Sequence, residues 1–236
     1  DKDAMLRLAE SLKIDAICAS CNDFSAITAA YVAEHLKLPG HDSYETSLLI
    51  HHKDRYRDFA FENEIPSPRA KGFDSVSAAM DELGIFDFPI MVKPVDLTGG
   101  KGISKVDHIA DARPVLETAF EISRAKRIVI EEYVEGTRHG ISTFLRNGRV
   151  VFFFNDNEHY FLNPYLVSAA STPAQVPENT AYSKKMLMHN IAGILEMDEC
   201  GVNTQWLKDL AIEKSRELFS DKVVQDLEKI IQPHYL

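Results

Sequence analysis

The chain has 236 residues, of which 45% are hydrophobic and 26% charged, a composition typical of a globular protein with one large domain or a few small lobes. Its formal net charge of −10 argues against general nucleic-acid binding, which needs phosphate-neutralising surface, but allows a local cationic pocket for a small anion. Three cysteines suit a reducing cytoplasm, and the sequence predicts neither a membrane span nor a signal peptide, so we expect a cytoplasmic protein.

The N-terminal part alternates predicted helix and strand. Residues 1–12 have apolar residues at helical spacing, residues 13–20 form a short β-leaning run, and residues 22–38 predict a second helix that ends before Pro39 and Gly40. This order is typical of a piece of a parallel α/β sheet.

A compact unit of strand, helix, strand, strand, helix and strand is predicted next. A charged amphipathic helix at 53–63 leads into it. Strands are predicted at 69–73, 88–95, 103–106 and 127–134, and helices at 74–84 and 107–123.

The last third of the chain begins with a predicted hairpin. Asn147-Gly148 is its turn, within residues 140–155. Residues 164–177 predict irregular structure, and helices are predicted at 178–197 and 206–231.

The stretch FPIMVKPVDLTGGKGISKV, residues 88–106, combines a strand with a glycine-rich loop. Gly99, Gly100 and Gly102 allow positive φ, so that backbone N–H groups can close on a phosphate. Neither the Walker pattern nor the dinucleotide fingerprint fits the spacing. A hairpin flap over a polyphosphate and a simple flexible turn both remain compatible with these glycines.

Lys93 lies on that strand. The pleat predicts that Ile90 and Val92 face one side, while Met91, Lys93 and Val95 face the other. A buried ammonium group needs an anion. A phosphate ligand is therefore one explanation for Lys93, and a side chain that reaches solvent from an edge strand is the other.

The stretch RIVIEEYVEGTRHG ends an apolar strand with polar and aromatic residues before Gly136. Such a strand can act as a hinge that offers Glu131 and backbone groups to a base and Tyr133 or Val134 to the face of that base. An ordinary surface turn is the alternative.

In order and spacing, these stretches and HHKDRYRDFAFENEIPSPRAKGF resemble the ATP-grasp ligases, in particular the members similar to carbamoyl-phosphate synthase and biotin carboxylase. The resemblance covers roughly residues 1–198 and implies an α/β, ATP-grasp fold with a partial α/β domain ahead of it. By position it implies that Lys53 and Lys93 contact phosphates of ATP and that Gly99, Gly100 and Gly102 form the flap. Glu131 matches the residue at the adenine amino group and Val134 the backbone position at the adenine edge. The nucleotide-binding residues implied are Lys53, Lys93, Gly99, Gly100, Gly102, Glu131, Glu132, Tyr133, Val134 and His139, with Arg138 as the alternative to His139 at the ribose.

The resemblance also implies a domain organisation and a reaction. We expect a partial domain at 1–52, an ATP-grasp domain at 53–198 with its flap lobe at about 67–131, and a helical segment at 199–236. ATP and Mg²⁺ are the implied cofactors. The implied reaction joins a small-molecule carboxylate to an amine through an acyl phosphate, without nucleic acid or membrane partners. Apart from the resemblance, Trp206 and the helix at 210–231 are expected to form packing surface or a subunit contact, such as that of a homodimer.

The sequence departs from the family near residue 198. The strands that carry a Glu and then Glu-x-Asn for Mg²⁺ are not recognised around AGILEMDECGVNTQWLKD, so no metal ligand is assigned, and Glu196 and Asp198 are interpreted as surface acids. Two explanations stand: the protein has further segments before Asp1 and near 198–201, or it is an ATP-binding regulatory subunit without turnover. A third hypothesis, a thiol-redox site at Cys18 and Cys21, rests on C-x-x-C spacing alone.

Overall fold

The computed structural model describes residues 1–19, 23–146, 149–172 and 195. Contacts divide the chain into two units. The described residues of the first unit lie in 1–47 and 143–153, together with 195, and those of the second lie in 48–142 and 154–172.

The N-terminal residues form helices. The predicted helices are confirmed as α1 (Lys2–Leu12) and α2 (Asp23–Leu36), and a further helix, α3 (Tyr44–His51), was not predicted. The prediction of a β-leaning run at 13–20 is wrong for the residues that the structure describes, because residues 13–19 contain no strand. Lys13 adopts left-handed backbone angles (φ 51°) and its N–H caps α1, so the chain turns away at the point where the strand was expected to begin.

The second unit is built on a four-stranded antiparallel sheet that confirms the predicted strands. Its strands are β1 (Ala70–Phe73), β2 (Ile90–Pro94), β3 (Ser104–Val106) and β4 (Ile128–Glu132), in the order β1-β4-β2-β3. Strand β2 therefore lies between two partners, so the explanation of Lys93 as a residue of an edge strand is wrong.

Three helices accompany this sheet. They are α4 (Lys53–Glu62), α5 (Val76–Glu82) and α6 (Ala112–Ile122), with short 3₁₀ helices at Leu83–Ile85 and Ile109–Asp111. Ser75 caps α5, since its side-chain oxygen accepts a hydrogen bond from the Ala78 N–H. Each predicted helix of this unit is confirmed.

The hydrophobic core of the second unit lies between one face of the sheet and the helices α5 and α6. Ile90 and Val92 point into it, which confirms the predicted pleat of β2. Its other buried members are Phe73, Ala79, Leu83, Phe86, Val106, Ala112, Leu116, Ala119, Ile128 and Ile130. Since this face is entirely apolar, the polar residues of β2 and β4 lie on the opposite face of the sheet.

A second sheet has three strands: β5 (His139–Arg146), β6 (Arg149–Tyr160) and β7 (Val167–Ser171). Strands β5 and β6 confirm the arms of the predicted hairpin, and the turn at 147–148 lies outside the described residues. The prediction of irregular structure at 164–177 is wrong for β7, whose backbone pairs with β6 although its side chains are exposed. The predicted helices at 178–197 and 206–231 lie outside the description, apart from residue 195.

No helix in the described part of the chain is long and apolar enough to cross a membrane.

Candidate functional site

A buried cluster of charges lies on the face of the sheet opposite the core. Lys93 Nζ donates to Glu131 Oε2 at 2.6 Å, and Arg57 of α4 donates from Nε to Glu131 Oε1 at 2.9 Å and from Nη2 to Oε2 at 3.3 Å. Lys93 pairs with Val129 and Met91 with Glu131 in the β2–β4 register, so Lys93 and Glu131 are diagonal neighbours.

The Glu131 side chain is only 3% exposed, against 19% for Lys93 and 22% for Arg57. Burial alone would raise the pKa of Glu131, but the charge of Lys93, followed by the hydrogen bonds and charge of Arg57, outweighs burial and holds that pKa below its ordinary value. Glu131 is therefore a carboxylate near neutral pH, and the cluster of two cations and one anion has a net charge of +1.

A cavity of about 270 Å³ opens above this cluster. Met91 and Ile103 supply apolar wall, and Lys93, Arg57 and Glu131 supply charge. The remaining lining residues are Pro68, Glu132, Tyr133, Val134, Arg138, Tyr160 and Tyr165. Polar groups that converge beside an apolar wall in a cleft are a common feature of small-molecule sites.

The glycine loop after β2 forms a tight turn with positive φ at Gly99 (64°), Gly100 (71°) and Gly102 (70°). A Cβ at Gly100 would lie 2.7 Å from the Tyr165 carbonyl oxygen, and a Cβ at Gly102 would lie 2.2 Å from Ile122 Cδ1. Gly100 is therefore required by close packing against backbone as well as by its backbone angles, whereas a Cβ at Gly102 would require the Ile122 and Pro94 side chains to shift.

Lys53, at the start of α4, contacts the beginning of this loop. Its Nζ donates to the Leu97 carbonyl at 2.5 Å and its N–H donates to the Val95 carbonyl at 3.2 Å. Lys53 is therefore adjacent to the glycine loop, and it is not among the residues that line the cavity.

A buried polar network lies next to the start of the same loop. Asp96 accepts hydrogen bonds from Ser123 Oγ and the Ala125 N–H, both at 2.9 Å, and Arg127 forms an ion pair with Asp54. Asp54, Asp96 and Ser123 are buried. These bonds fix the start of α4 and the end of β2 relative to the turn before β4.

The structure brings together five of the predicted nucleotide-binding residues in the cavity wall: Lys93, Glu131, Glu132, Tyr133 and Val134. Glu132 is also bound elsewhere, since its Oε1 accepts from the Arg69 N–H at 3.0 Å. Arg138, the alternative to His139 in the sequence analysis, lines this wall, and His139 is not among its described lining residues. The Arg138 guanidinium carbon lies 4.5 Å from the centre of the Tyr160 ring.

The sequence analysis missed Arg57, Tyr160 and Tyr165. Arg57 follows Lys53 by four residues on α4, a spacing that places both on one face of a helix, and this signal was available. Tyr160 and Tyr165 were not assigned to the nucleotide site; they come from the end of β6 and the connection to β7, within residues 155–175, whose aromatic residues we expected either to line an acceptor pocket or to pack.

The described residues do not supply a metal centre. No group of three or more His, Cys, Asp and Glu side chains in this part of the chain could hold a metal ion. Glu196 and Asp198, for which no metal role was assigned, lie outside the described residues. Cys18 is exposed as a free thiol, and Cys21 is not described, so the redox hypothesis stays untested.

Comparison with known proteins identifies the fold that carries this site. Residues 51–162 match the family model of the phosphoribosylglycinamide synthetase ATP-grasp (A) domain. A phosphoribosylamine–glycine ligase from Thermococcus gammatolerans is 34% identical over 112 residues, which make up 46% of this chain and 26% of that protein. The chain is homologous to ATP-grasp ligases. The resemblance inferred from the three sequence stretches is thereby confirmed.

Solved structures confirm the ATP-grasp fold. An L-amino acid ligase from Bacillus licheniformis superposes with a TM-score of 0.65 at 20% identity, covering 84% of this chain and 48% of that one. The biotin carboxylase domain of a Hydrogenobacter thermophilus 2-oxoglutarate carboxylase was solved with MgADP. It superposes with a TM-score of 0.69 at 16% identity, covering 82% of this chain and 45% of that one. The chain thus spans just under half of these two structures, and it spans 10% to 29% of the curated relatives it matches.

Proposed function

We propose that the chain binds ATP in the cavity above Lys93, Glu131 and Arg57 and belongs to an ATP-dependent ligase that joins a carboxylate to an amine. The observation that carries this proposal is the buried, net positive cluster beside a glycine turn in an ATP-grasp fold. A polyphosphate requires both a cationic surface and backbone that can approach closely, and these elements provide them.

In this proposal the phosphates lie toward Lys93, Lys53 and the glycine turn, and the base lies against the end of β4. Met91 and Ile103 are apolar and line the cavity, which suits the faces of a purine. The backbone of Val134 is then the group nearest the adenine edge, with Tyr133 beside it, because both carboxylate oxygens of Glu131 already accept from Lys93 and Arg57. Arg138 takes the ribose position in preference to His139, because it lines the cavity.

The chemistry proposed is the phosphorylation of the carboxylate to an acyl phosphate, which the amine then attacks as phosphate leaves. Such a reaction is accelerated mainly by positioning and by neutralising charge. Lysine, arginine and backbone N–H groups are sufficient for these tasks. Mg²⁺ is proposed as the companion of ATP from the relatives alone, and no step is assigned to it.

The substrates, the setting and the assembly are proposals of the same kind. Ligase relatives support a small-molecule carboxylate and amine as substrates, and the low cysteine content supports a cytoplasmic location. The solved Hydrogenobacter thermophilus biotin carboxylase domain is a dimer, which supports a homodimer. The domain boundaries near residues 52 and 198 also remain proposals. Acceptor specificity is expected to depend on residues 155–175, which include Tyr160 and Tyr165.

The test is the release of ADP from MgATP when candidate carboxylates, beginning with amino acids, are added together with amines. A ligase predicts that a productive carboxylate stimulates ADP release well above the basal rate. ADP binding without stimulation by any carboxylate would contradict the ligase and favour the regulatory subunit. The absence of nucleotide binding would contradict both.

A further inference from the structure

Arg57 occupies a position in the cluster that a ligand contact alone does not explain. Its Nε and Nη2 donate to the two oxygens of Glu131, and its Nη1 donates to Ser67 Oγ at 2.9 Å. All three of its nitrogens are therefore engaged by protein groups. A guanidinium held in this way is fixed in place, although it borders the cavity.

The position of Arg57 changes the net charge around Lys93. Glu131 Oε2 is shared by Lys93 Nζ at 2.6 Å and Arg57 Nη2 at 3.3 Å, inside a site where the carboxylate is 3% exposed. With Lys93 and Glu131 alone, the pair would be neutral and would attract an anion weakly. The second cation leaves the trio with one positive charge, and interactions between charges at partly buried sites are strong.

We propose that Arg57 is a positioning residue for nucleotide binding, acting through Glu131 to leave the charge of Lys93 available to a polyphosphate. The inference rests on the proposed ATP site. It assigns to Arg57 an indirect role, which differs from that of a residue that binds phosphate itself.

The charge balance supplies a test that separates these roles. Arg57→Met makes the cluster neutral, and adding Glu131→Gln restores its net charge of +1 without returning any guanidinium. Binding of MgADP to the full chain is measured by isothermal titration calorimetry for both variants. Arg69→Met is the control, because Arg69 is 51% exposed and pairs on the surface with Asp87 at 3.4 Å.

We expect Arg57→Met to weaken MgADP binding about tenfold, an effect comparable to one charge interaction at a partly buried site. The double variant is expected to bind within about threefold of the wild type, since it regains the net charge. Arg69→Met is expected to bind as the wild type does. Melting temperatures without nucleotide check that each variant is folded.

Two outcomes overturn the inference alone, and a third overturns it together with the proposed function. If Arg57→Met is folded and binds like Arg69→Met, Arg57 has no role in binding. If the double variant is folded and stays about tenfold or more weaker than the wild type, Arg57 contacts the nucleotide directly. Where Arg57→Met fails to fold, the double variant still decides whether Arg57 contacts the nucleotide directly. In either of these two outcomes the proposed function stands if the wild type binds MgADP and Lys93→Met binds it more weakly. If the wild type does not bind MgADP, both the inference and the proposed function are wrong.

Discussion

Glu131 is the residue on which the charge cluster depends, because it is a buried carboxylate that accepts from both Lys93 and Arg57. Breaking a buried ion pair by removing one partner leaves an uncompensated charge, which costs roughly 3–5 kcal/mol in other proteins. Glu131→Gln is therefore expected to lower the free energy of unfolding by an amount of this order at neutral pH.

The cost of Glu131→Gln should also depend on pH. The folded pKa of Glu131 lies below its ordinary value of 4.5, so its contribution is complete above that value and is lost as the pH falls through the folded pKa. The difference in unfolding free energy between wild type and variant should be largest at pH 6 to 7. It should decrease below about pH 4.5, where Glu131 becomes protonated and resembles glutamine.

Urea unfolding of both proteins across this pH range measures the gap. The matched control is Glu82→Gln, because Glu82 pairs with Lys71 of the same sheet at the surface, where such pairs contribute about 0–1 kcal/mol. A gap between wild type and Glu131→Gln that stays constant from pH 7 to pH 3 would contradict the assignment of Glu131 as a carboxylate held by two cations.

At the scale of elements, the glycine turn owes its shape to both backbone angles and close packing. Gly99 and Gly100 have similar positive φ, but a Cβ at Gly99 would lie at an ordinary 3.7 Å from Leu166 Cδ1, whereas one at Gly100 would lie 2.7 Å from a backbone oxygen of Tyr165. Alanine at Gly99 should cost about 1–2 kcal/mol from backbone strain alone.

Alanine at Gly100 should cost more, since it must also move the turn or residue 165. We expect Gly100→Ala to weaken MgADP binding more than Gly99→Ala does, because it would displace Tyr165, which lines the cavity. Unfolding curves and titration calorimetry on the two variants measure both effects. Equal losses in the two variants would show that the contact with Tyr165 does not hold the turn.

The elements that the sequence predicts correctly are those with a strong local pattern. Strand β2 is recognisable because Ile90 and Val92 alternate with Met91 and Lys93, and α5 is recognisable because Ser75 is a good cap. Helix α3 was missed because it contains no residue that is fully buried and so lacks a clear apolar face. Strand β7 was missed because Val167–Ser171 is exposed and owes its conformation to pairing with β6.

The part of the candidate site that lies on the strands was predictable from the same kind of local pattern. Lys93 and Glu131 stand out as charges on apolar strands, and their proximity follows from the antiparallel register of β2 and β4. Arg57 could have been found by the same reasoning, since it follows Lys53 by four residues on α4, whereas the approach of Tyr160 and Tyr165 to the cavity depends on tertiary packing. His139 was preferred by position along the chain, whereas the cavity wall contains its neighbour Arg138.

At the scale of the whole molecule, each unit has its own buried cluster, and the proposed ATP site lies within the second. The described residues of that unit contain the cationic cluster, the glycine turn and the apolar wall. Nucleotide binding can therefore be tested independently of the substrates, which remain to be identified.

The most direct test of the central claim is titration of the wild type, Lys93→Met and Lys71→Met with MgADP. Lys71 is the matched control because it too is a lysine of the same sheet paired with a glutamate, but its side chain is 47% exposed. We expect the wild type and Lys71→Met to bind alike, and Lys93→Met to bind at least about tenfold more weakly, since it loses a charge-assisted contact. Equal binding by all three proteins, or none by the wild type, would contradict the proposed site.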